Sequence, residues 1–166
     1  TLALFDRYRI HATWAAVGLL FCSDRDEALA AAPELKPAYE NPRCSAYAYL
    51  EHIDRFDSAL HFAPNYIDRI RQHAGQEIGS HSFAHYYALE SGQNAQTFRA
   101  DLAAAIGLAR RRGITLQSFV FPRNQSNPAY LPMLRDAGFL SFRGNERGSL
   151  YRAGNGQTQS RWRRLQ

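Results

Sequence analysis

Two histidines four residues apart, His81 and His85, are the residues of this chain whose types and spacing best suggest chemistry. Residues at positions i and i+4 share one face of a helical turn, so two imidazoles at this spacing can converge on one metal ion. Neutral imidazole nitrogens are common ligands of zinc and similar divalent ions. The alternative, two histidines hydrogen-bonded to loop carbonyls, stays open on the spacing alone.

The residues around the pair strengthen the prediction of a site. A short strand over 76–79, ending in a glycine, precedes His81, and Ser80 and Ser82 can cap the turn that carries the imidazoles. In parallel α/β folds the chemistry lies at the carboxyl ends of the strands. The histidine pair and a second candidate segment around Pro122 both follow predicted strands, so we expect both segments at such ends.

The elements that must position these segments repeat one pattern, an apolar helix followed by a turn glycine and an apolar strand. Helices are predicted over 2–9, 64–74, 97–112 and 129–137, and strands over 11–18, 76–79, 116–121 and 139–143. This repetition is typical of parallel βα units and predicts an α/β sheet or barrel. Residues 22–60 carry three prolines and an alanine run, which predicts an insertion of short helices and loops.

Composition limits the class of protein. With 166 residues and 45% apolar content the chain can bury one core, and it is neither disordered nor fibrous in character. No stretch approaches the roughly 20 apolar residues of a membrane span, so we predict no span. The net charge of +5 suits an acidic polymer, a nucleic acid or an anionic membrane surface, and it equally suits an ordinary solvated exterior. The aromatic and glycine-rich signatures of nucleic-acid-binding modules are missing, so we expect no nucleic-acid partner.

The histidine segment resembles a known family motif. The sequence E-I-G-S-H-S-F-A-H at residues 77–85 resembles the "E-I-G-x-H-S/T-x-x-H" motif of the polysaccharide deacetylase family, which is also called the NodB homology domain and belongs with carbohydrate esterase family 4. In that family the motif supplies two metal ligands. Residues 10–14 resemble the family's second strand, and residues 113–122 resemble the run into its arginine and proline motif. The resemblance covers roughly residues 1–143.

This resemblance implies a distorted or incomplete (β/α) barrel and a metal-dependent hydrolase that removes acetyl groups from an N- or O-acetylated polysaccharide or its precursor. It implies that His81 and His85 bind one divalent ion, with zinc as the expected metal, an aspartate as third ligand and water in the open position. We expect contacts with the acetylated glycan from residues of the two motifs: Ser82, Tyr86, Phe121, Pro122 and Arg123.

The chain departs from the family pattern in three places. The family's aspartate pair, general base and metal ligand, lies on a strand that would precede Thr1, and the family's late histidine, the general acid, has no counterpart after His85. The family also has arginine two residues before the proline and an aromatic residue after it, where this chain has Val120 and Arg123.

Arg123 is therefore a candidate catalytic residue that restores the missing charge, by orienting the catalytic carboxylate or by contacting an anionic sugar. The alternative is a surface arginine after a rigid turn. The backbone N–H that follows Pro122 is a candidate oxyanion donor, because that role depends on geometry more than on the side chain.

These observations predict one deacetylase-like domain over residues 1–150 without its first strand, and a basic tail or discontinuous segment over 151–166. The leading hypothesis for function is a metal-dependent deacetylase acting on an acetylated glycan. The alternative is a carbohydrate-binding domain of the same fold, in which the missing aspartates and histidine are real losses of catalysis. A nucleic-acid-binding domain driven by the basic tail ranks last.

Overall fold

The computed structural model describes residues 1–50, 52 and 57–144. In these ranges the protein is a mixed α/β structure around one parallel sheet of four strands. The strands are β1 (Ala12–Ala16), β2 (Gln76–Ser80), β3 (Ser118–Val120) and β4 (Ser141–Arg143), and they lie in the sheet in chain order. Every neighbouring pair runs parallel, which confirms the predicted α/β class with a parallel sheet.

The helices alternate with the strands as the sequence predicts. They are α1 (Leu2–Tyr8), α2 (Arg25–Ala31), α3 (Ala46–Leu50), α4 (Pro64–Arg71), α5 (Ala95–Arg111) and α6 (Leu131–Asp136). Helices α1, α4, α5 and α6 each come directly before a strand. The last of them begins later than predicted, because a 3₁₀ turn over Pro128–Tyr130 precedes it. None of the helices in the described ranges is long and apolar enough to cross a bilayer.

The segment between β1 and α4 contains short elements, as predicted for an insertion. Helices α2 and α3 are accompanied by 3₁₀ turns at Pro42–Cys44 and Ser58–Leu60. Residues 51 and 53–56 of this insertion, the last residues of the predicted domain (145–150) and the basic segment 151–166 lie outside the described residues.

The core between the sheet and α5 positions the carboxyl ends of the strands. The α5 helix buries an apolar stripe that includes Phe98, and the Phe98 ring stacks on Tyr130 with centroids 4.4 Å apart. Phe98 also meets Phe119 of β3 edge-on, at 6.0 Å. Burying Phe98 and Phe119 stabilises the fold by about 1.5–3 kcal/mol for each side chain, which holds α5 against β3.

Candidate metal centre

The structure brings His81 and His85 together just beyond the carboxyl end of β2. Their ring centroids lie 4.9 Å apart, and the ring planes make an angle of 65°. Two imidazoles bound to one tetrahedral zinc ion, each with a Zn–N distance of about 2.1 Å, have ring centroids roughly 5 Å apart. The separation of the two rings therefore fits two ligands of one ion.

A backbone carbonyl on the neighbouring strand orients the His81 ring. The Nδ1 atom of His81 lies 2.7 Å from the carbonyl oxygen of Val120, at the end of β3. Because a carbonyl oxygen only accepts, Nδ1 carries the hydrogen and Nε2 keeps a free lone pair. Metal-binding histidines usually have such an outer hydrogen bond on the nitrogen that does not bind the metal. The His81 N–H also donates to the Ala16 carbonyl of β1 at 2.8 Å.

The His85 ring is held by packing instead. It meets the Tyr87 ring edge-on, with centroids 5.2 Å apart, and no group in the described ranges hydrogen-bonds to its nitrogens. Burial, together with the charges of His81 and Arg123, lowers the pKa of His85 to about 4. Burial also lowers the pKa of His81, against the effect of the Val120 hydrogen bond. Both imidazoles are therefore neutral near pH 7, the state that binds metal ions.

The loop that carries the two histidines, residues 81–85, is not the helical turn that the spacing suggested. It is neither helix nor strand, and both Ser82 and His85 adopt the left-handed region, with φ of 63° and 55°. Residues other than glycine occupy this region rarely, so surrounding contacts must maintain it. The Ser82 hydroxyl oxygen accepts the N–H of Tyr86 at 2.7 Å, and the Ser80 hydroxyl oxygen accepts that of Ser82 at 3.2 Å. The two serines thus cap the loop.

The sequence interpretation missed Asp101 of α5. Its carboxylate is 0% exposed and accepts the N–H groups of Phe83 and Ala84, at 2.7 and 3.2 Å, and the Tyr47 hydroxyl, at 2.7 Å. Burial raises the pKa of Asp101 to about 6, while the hydrogen bonds from these donors act in the opposite direction. One signal was present in the sequence, because Asp101 interrupts the apolar stripe of a helix, where an unpaired carboxylate is rarely tolerated.

Most of the predicted substrate-binding side chains lie inside the protein. Ser82, Tyr86 and Phe121 are 0%, 2% and 1% exposed, and Pro122 is also buried. The Tyr86 hydroxyl lies 2.7 Å from the hydroxyl of Thr97, near the start of α5. Because these side chains do not face solvent, we infer that they support the histidine loop and the core and do not contact a glycan.

Arg123, in contrast, is exposed beside the histidines. Its guanidinium carbon lies 4.8 Å from the centroid of the Tyr87 ring, which also packs on His85. Arg123 and Asn124 have φ of 52° and 55°, so the turn after Pro122 is left-handed at both residues. Within the part of the chain that the structure describes, no carboxylate pairs with Arg123 and no group accepts its backbone N–H. The Arg123 guanidinium and the Arg123 backbone N–H are thus both available to contact a ligand.

The described residues supply only part of a metal site. Within 1–50, 52 and 57–144, no group of three or more His, Cys, Asp or Glu side chains is placed to hold a metal ion. The two imidazoles have the protonation state and separation of metal ligands. Their separation fits two ligands of one metal ion, and no third candidate ligand joins them among the described residues.

The fold and this site define a mixed α/β protein with a pair of histidines at the carboxyl ends of a parallel sheet. No model of a known protein family matches the chain, and no curated protein matches it. A more specific assignment therefore depends on the histidine motif and on the geometry around it.

Proposed function

We propose that the chain is the metal-binding part of a hydrolase of the polysaccharide deacetylase type, which removes acetyl groups from an N- or O-acetylated glycan. His81 and His85 are two ligands of one divalent ion, with zinc as the expected metal. The observation that carries the proposal is the hydrogen bond from His81 Nδ1 to the Val120 carbonyl, with the neutral His85 ring 4.9 Å away. Metal binding requires one free nitrogen on each imidazole, whereas a purely structural role of the two histidines does not.

The chain's own residues provide groups for the reaction. When bound, a zinc-like ion makes water nucleophilic near neutral pH and polarises the acetyl carbonyl. The backbone N–H of Arg123 is available to donate to the oxyanion that forms on the acetyl group. The Arg123 guanidinium, held over Tyr87, is available to bind a carboxylate, either that of the catalytic base or that of an anionic sugar.

Hydrolysis needs two further groups. A catalytic zinc site uses three protein ligands, and acetyl transfer to water uses a general base. Among the described residues, no further His, Cys, Asp or Glu side chain joins the pair to hold a metal ion. The proposal therefore requires carboxylates from residues outside the described ranges.

We extend the proposal to the architecture, a distorted or incomplete (β/α) barrel. Two features support it, namely that the four parallel strands lie in chain order and that each follows a helix. In the described sheet β1 and β4 are edge strands, and edge strands carry unpaired backbone groups that further strands of a barrel would satisfy. A crystal structure in which β1 and β4 pair with other elements and leave the sheet open would contradict this part of the proposal.

The alternative function is a carbohydrate-binding domain of the same fold without catalysis. One observation favours it, the lack of a third metal-ligating side chain near the histidine pair among the described residues. Such a domain would bind an acetylated glycan and leave its acetyl groups in place.

Metal content and acetate release together test the proposal. Full-length protein purified without chelators should carry one divalent ion per chain and release acetate from N-acetylated chitin oligosaccharides or O-acetylated xylan oligosaccharides. His81→Gln and His85→Gln should lose both properties. His11→Gln is the matched control, because the exposed His11 precedes β1 at the opposite end of the sheet.

The outcomes separate the two functions. Binding of these glycans without acetate release, and without bound metal, would favour the carbohydrate-binding domain. Metal content that is the same in the wild type and in both histidine variants would refute the assignment of the two ligands.

A further inference from the structure

We propose that Asp101 is a positioning residue, which sets the conformation of the histidine loop and through it the affinity and geometry of metal binding. This inference rests on the proposed function, since it presupposes that His81 and His85 bind a metal ion. Asp101 touches neither imidazole. It acts through Phe83 and Ala84, the two residues in the middle of the loop.

The loop needs a buried acceptor because its own backbone cannot provide one. Phe83 and Ala84 are 0% and 3% exposed, and their N–H groups have no backbone acceptor in the described structure. Buried N–H groups without a partner are rare in folded proteins, because their loss of hydration is not compensated. The two oxygens of Asp101 satisfy both groups, one N–H each.

The same contacts determine where His85 lies relative to His81. His81 is anchored independently, through its N–H on the Ala16 carbonyl and its Nδ1 on the Val120 carbonyl. Phe83 and Ala84 join that anchor to His85, which has no hydrogen bond of its own in the described ranges. A change in the hydrogen bonds of residues 83 and 84 therefore moves the second imidazole relative to the first.

The insertion takes part in this arrangement through Tyr47 of α3. The Tyr47 hydroxyl donates to the Asp101 oxygen that also accepts the Ala84 N–H. The Tyr47 ring stacks on Phe83, with centroids 5.9 Å apart and planes 20° apart. Asp101 thus joins three parts of the chain, the α5 helix, the histidine loop and the insertion.

Three substitutions in the full-length protein separate positioning from general packing. Asp101→Asn keeps the size of the side chain but replaces one carboxylate oxygen with an NH₂ group. At least one of the N–H or O–H groups that now donate to Asp101 would then face another donor and lose its hydrogen bond. Tyr47→Phe removes one donor and keeps the stacked ring. Leu102→Ala is the control, because Leu102 is 3% exposed on the same helix and gives the loop no hydrogen bond.

Each variant is examined at a temperature at which its circular dichroism spectrum is that of a folded protein. The measurements are the Zn²⁺ dissociation constant, from competition with a chromophoric chelator, and the visible absorption spectrum of the Co²⁺-loaded protein. Both report on the ligand geometry directly and do not depend on turnover.

We expect Asp101→Asn to weaken Zn²⁺ binding about 10–100-fold, the usual effect of losing an outer support of a metal ligand, and to change the Co²⁺ spectrum. Tyr47→Phe should weaken binding by a smaller factor. Leu102→Ala should lower the melting temperature and leave the Zn²⁺ affinity and the Co²⁺ spectrum of the folded protein unchanged.

A wild-type affinity and Co²⁺ spectrum in Asp101→Asn would overturn the inference while leaving the metal-binding proposal intact. The inference would also be overturned if Leu102→Ala weakened Zn²⁺ binding as much as Asp101→Asn. If Asp101→Asn does not fold, Tyr47→Phe decides, and unchanged affinity and spectrum in that variant would count against the role of Asp101. Failure of the wild type to bind Zn²⁺ at all would instead refute the proposed function, and the inference with it.

Discussion

The Nδ1 atom of His81 lies 2.7 Å from the carbonyl oxygen of Val120, a residue 39 positions further along the chain and on the next strand of the sheet. The contact selects one tautomer of the imidazole, since the carbonyl oxygen can only accept a hydrogen bond. The Nε2 lone pair of His81 is left for a ligand. The β2–β3 pairing thereby fixes the tautomer of a histidine in the loop after β2, as the proposed metal binding requires.

The first prediction concerns this tautomer. In the metal-free protein near neutral pH, His81 should be a neutral imidazole protonated on Nδ1, because the Val120 carbonyl accepts that hydrogen. Two-bond ¹H–¹⁵N correlation spectra of the histidine rings distinguish the two tautomers. Addition of Zn²⁺ should then perturb the Nε2 resonance of His81 most strongly. A ring protonated on Nε2 would contradict the orientation that the structure shows.

The second prediction is a pH dependence of stability that comes from His85. Its pKa is lowered from 6.5 to about 4, mainly by burial, so the unfolded chain binds this proton more readily than the folded protein. The stability that neutral His85 contributes is complete above pH 6.5 and is lost as the pH falls through 4. With an allowance for solvent screening, the loss amounts to about 1–2 kcal/mol in the metal-free protein.

Urea denaturation of the metal-free wild type and of His85→Gln over this pH range measures the effect. The free energy of unfolding should fall less steeply with acidification in the variant. Asp101, whose raised pKa gives a dependence of opposite sign, is present in both proteins and cancels in the difference. Parallel pH profiles would show that His85 does not titrate as its buried position implies.

The third prediction concerns Arg123. Its charge is one of the causes that lower the pKa of His85, so Arg123→Ala should raise that pKa in an NMR titration of the metal-free protein. If the guanidinium also binds a carboxylate of the substrate or of the catalytic base, kcat/KM should fall about 10–100-fold, because hydrogen bonds to charged groups contribute roughly 1.5–3 kcal/mol. Arg135→Ala, on the exposed side of α6, is the control. Unchanged turnover and substrate affinity in Arg123→Ala would dismiss the catalytic role.

The fourth prediction concerns the attachment of the insertion near the site. The Ala38 N–H donates to the Gly92 carbonyl at 2.8 Å, and Gly92 has a φ of 91°. A Cβ atom at Gly92 would lie 1.9 Å from the Ala38 oxygen, so Gly92→Ala should lower the free energy of unfolding by about 2–3 kcal/mol.

Gly107→Ala is the matched control for this substitution. Gly107 lies within α5, and a Cβ atom there would have no neighbour within 4 Å. Alanine should therefore stabilise the protein by about 0.5–1 kcal/mol through its higher helix propensity. Urea denaturation of both variants makes the comparison, and equal destabilisation would indicate that the Gly92 contact is not formed.

Much of the fold could be predicted because its signals are local. The α5 helix was visible in the spacing of Phe98, Leu102 and Ala105, and β1 was visible as a short run of β-forming and small residues. Residues 116–121 were predicted as one strand, but only Ser118–Val120 pairs with its neighbours. Strand ends depend on the partner strand, which the local sequence does not contain.

The details of the site were less predictable. The interval between His81 and His85 suggested a helical turn, whereas the loop follows left-handed conformations that Asp101 and the two serines support. Tyr86 was expected to face a sugar, but its ring is buried against Phe98 and its hydroxyl lies near Thr97. The residue type of an aromatic side chain in a motif does not show whether the side chain is exposed or buried.

By itself the sequence determined which segments form helices and parallel strands, and that two imidazoles follow the end of β2. Periodicity and residue type over a few neighbouring positions are enough for those conclusions. Only the tertiary structure decided which nitrogen of His81 is free, that both rings are neutral, and that a carboxylate on α5 holds the loop between them. Hydrogen-bond partners and burial depend on contacts between residues far apart in the chain, and those contacts exist only once the strands and helices have packed together.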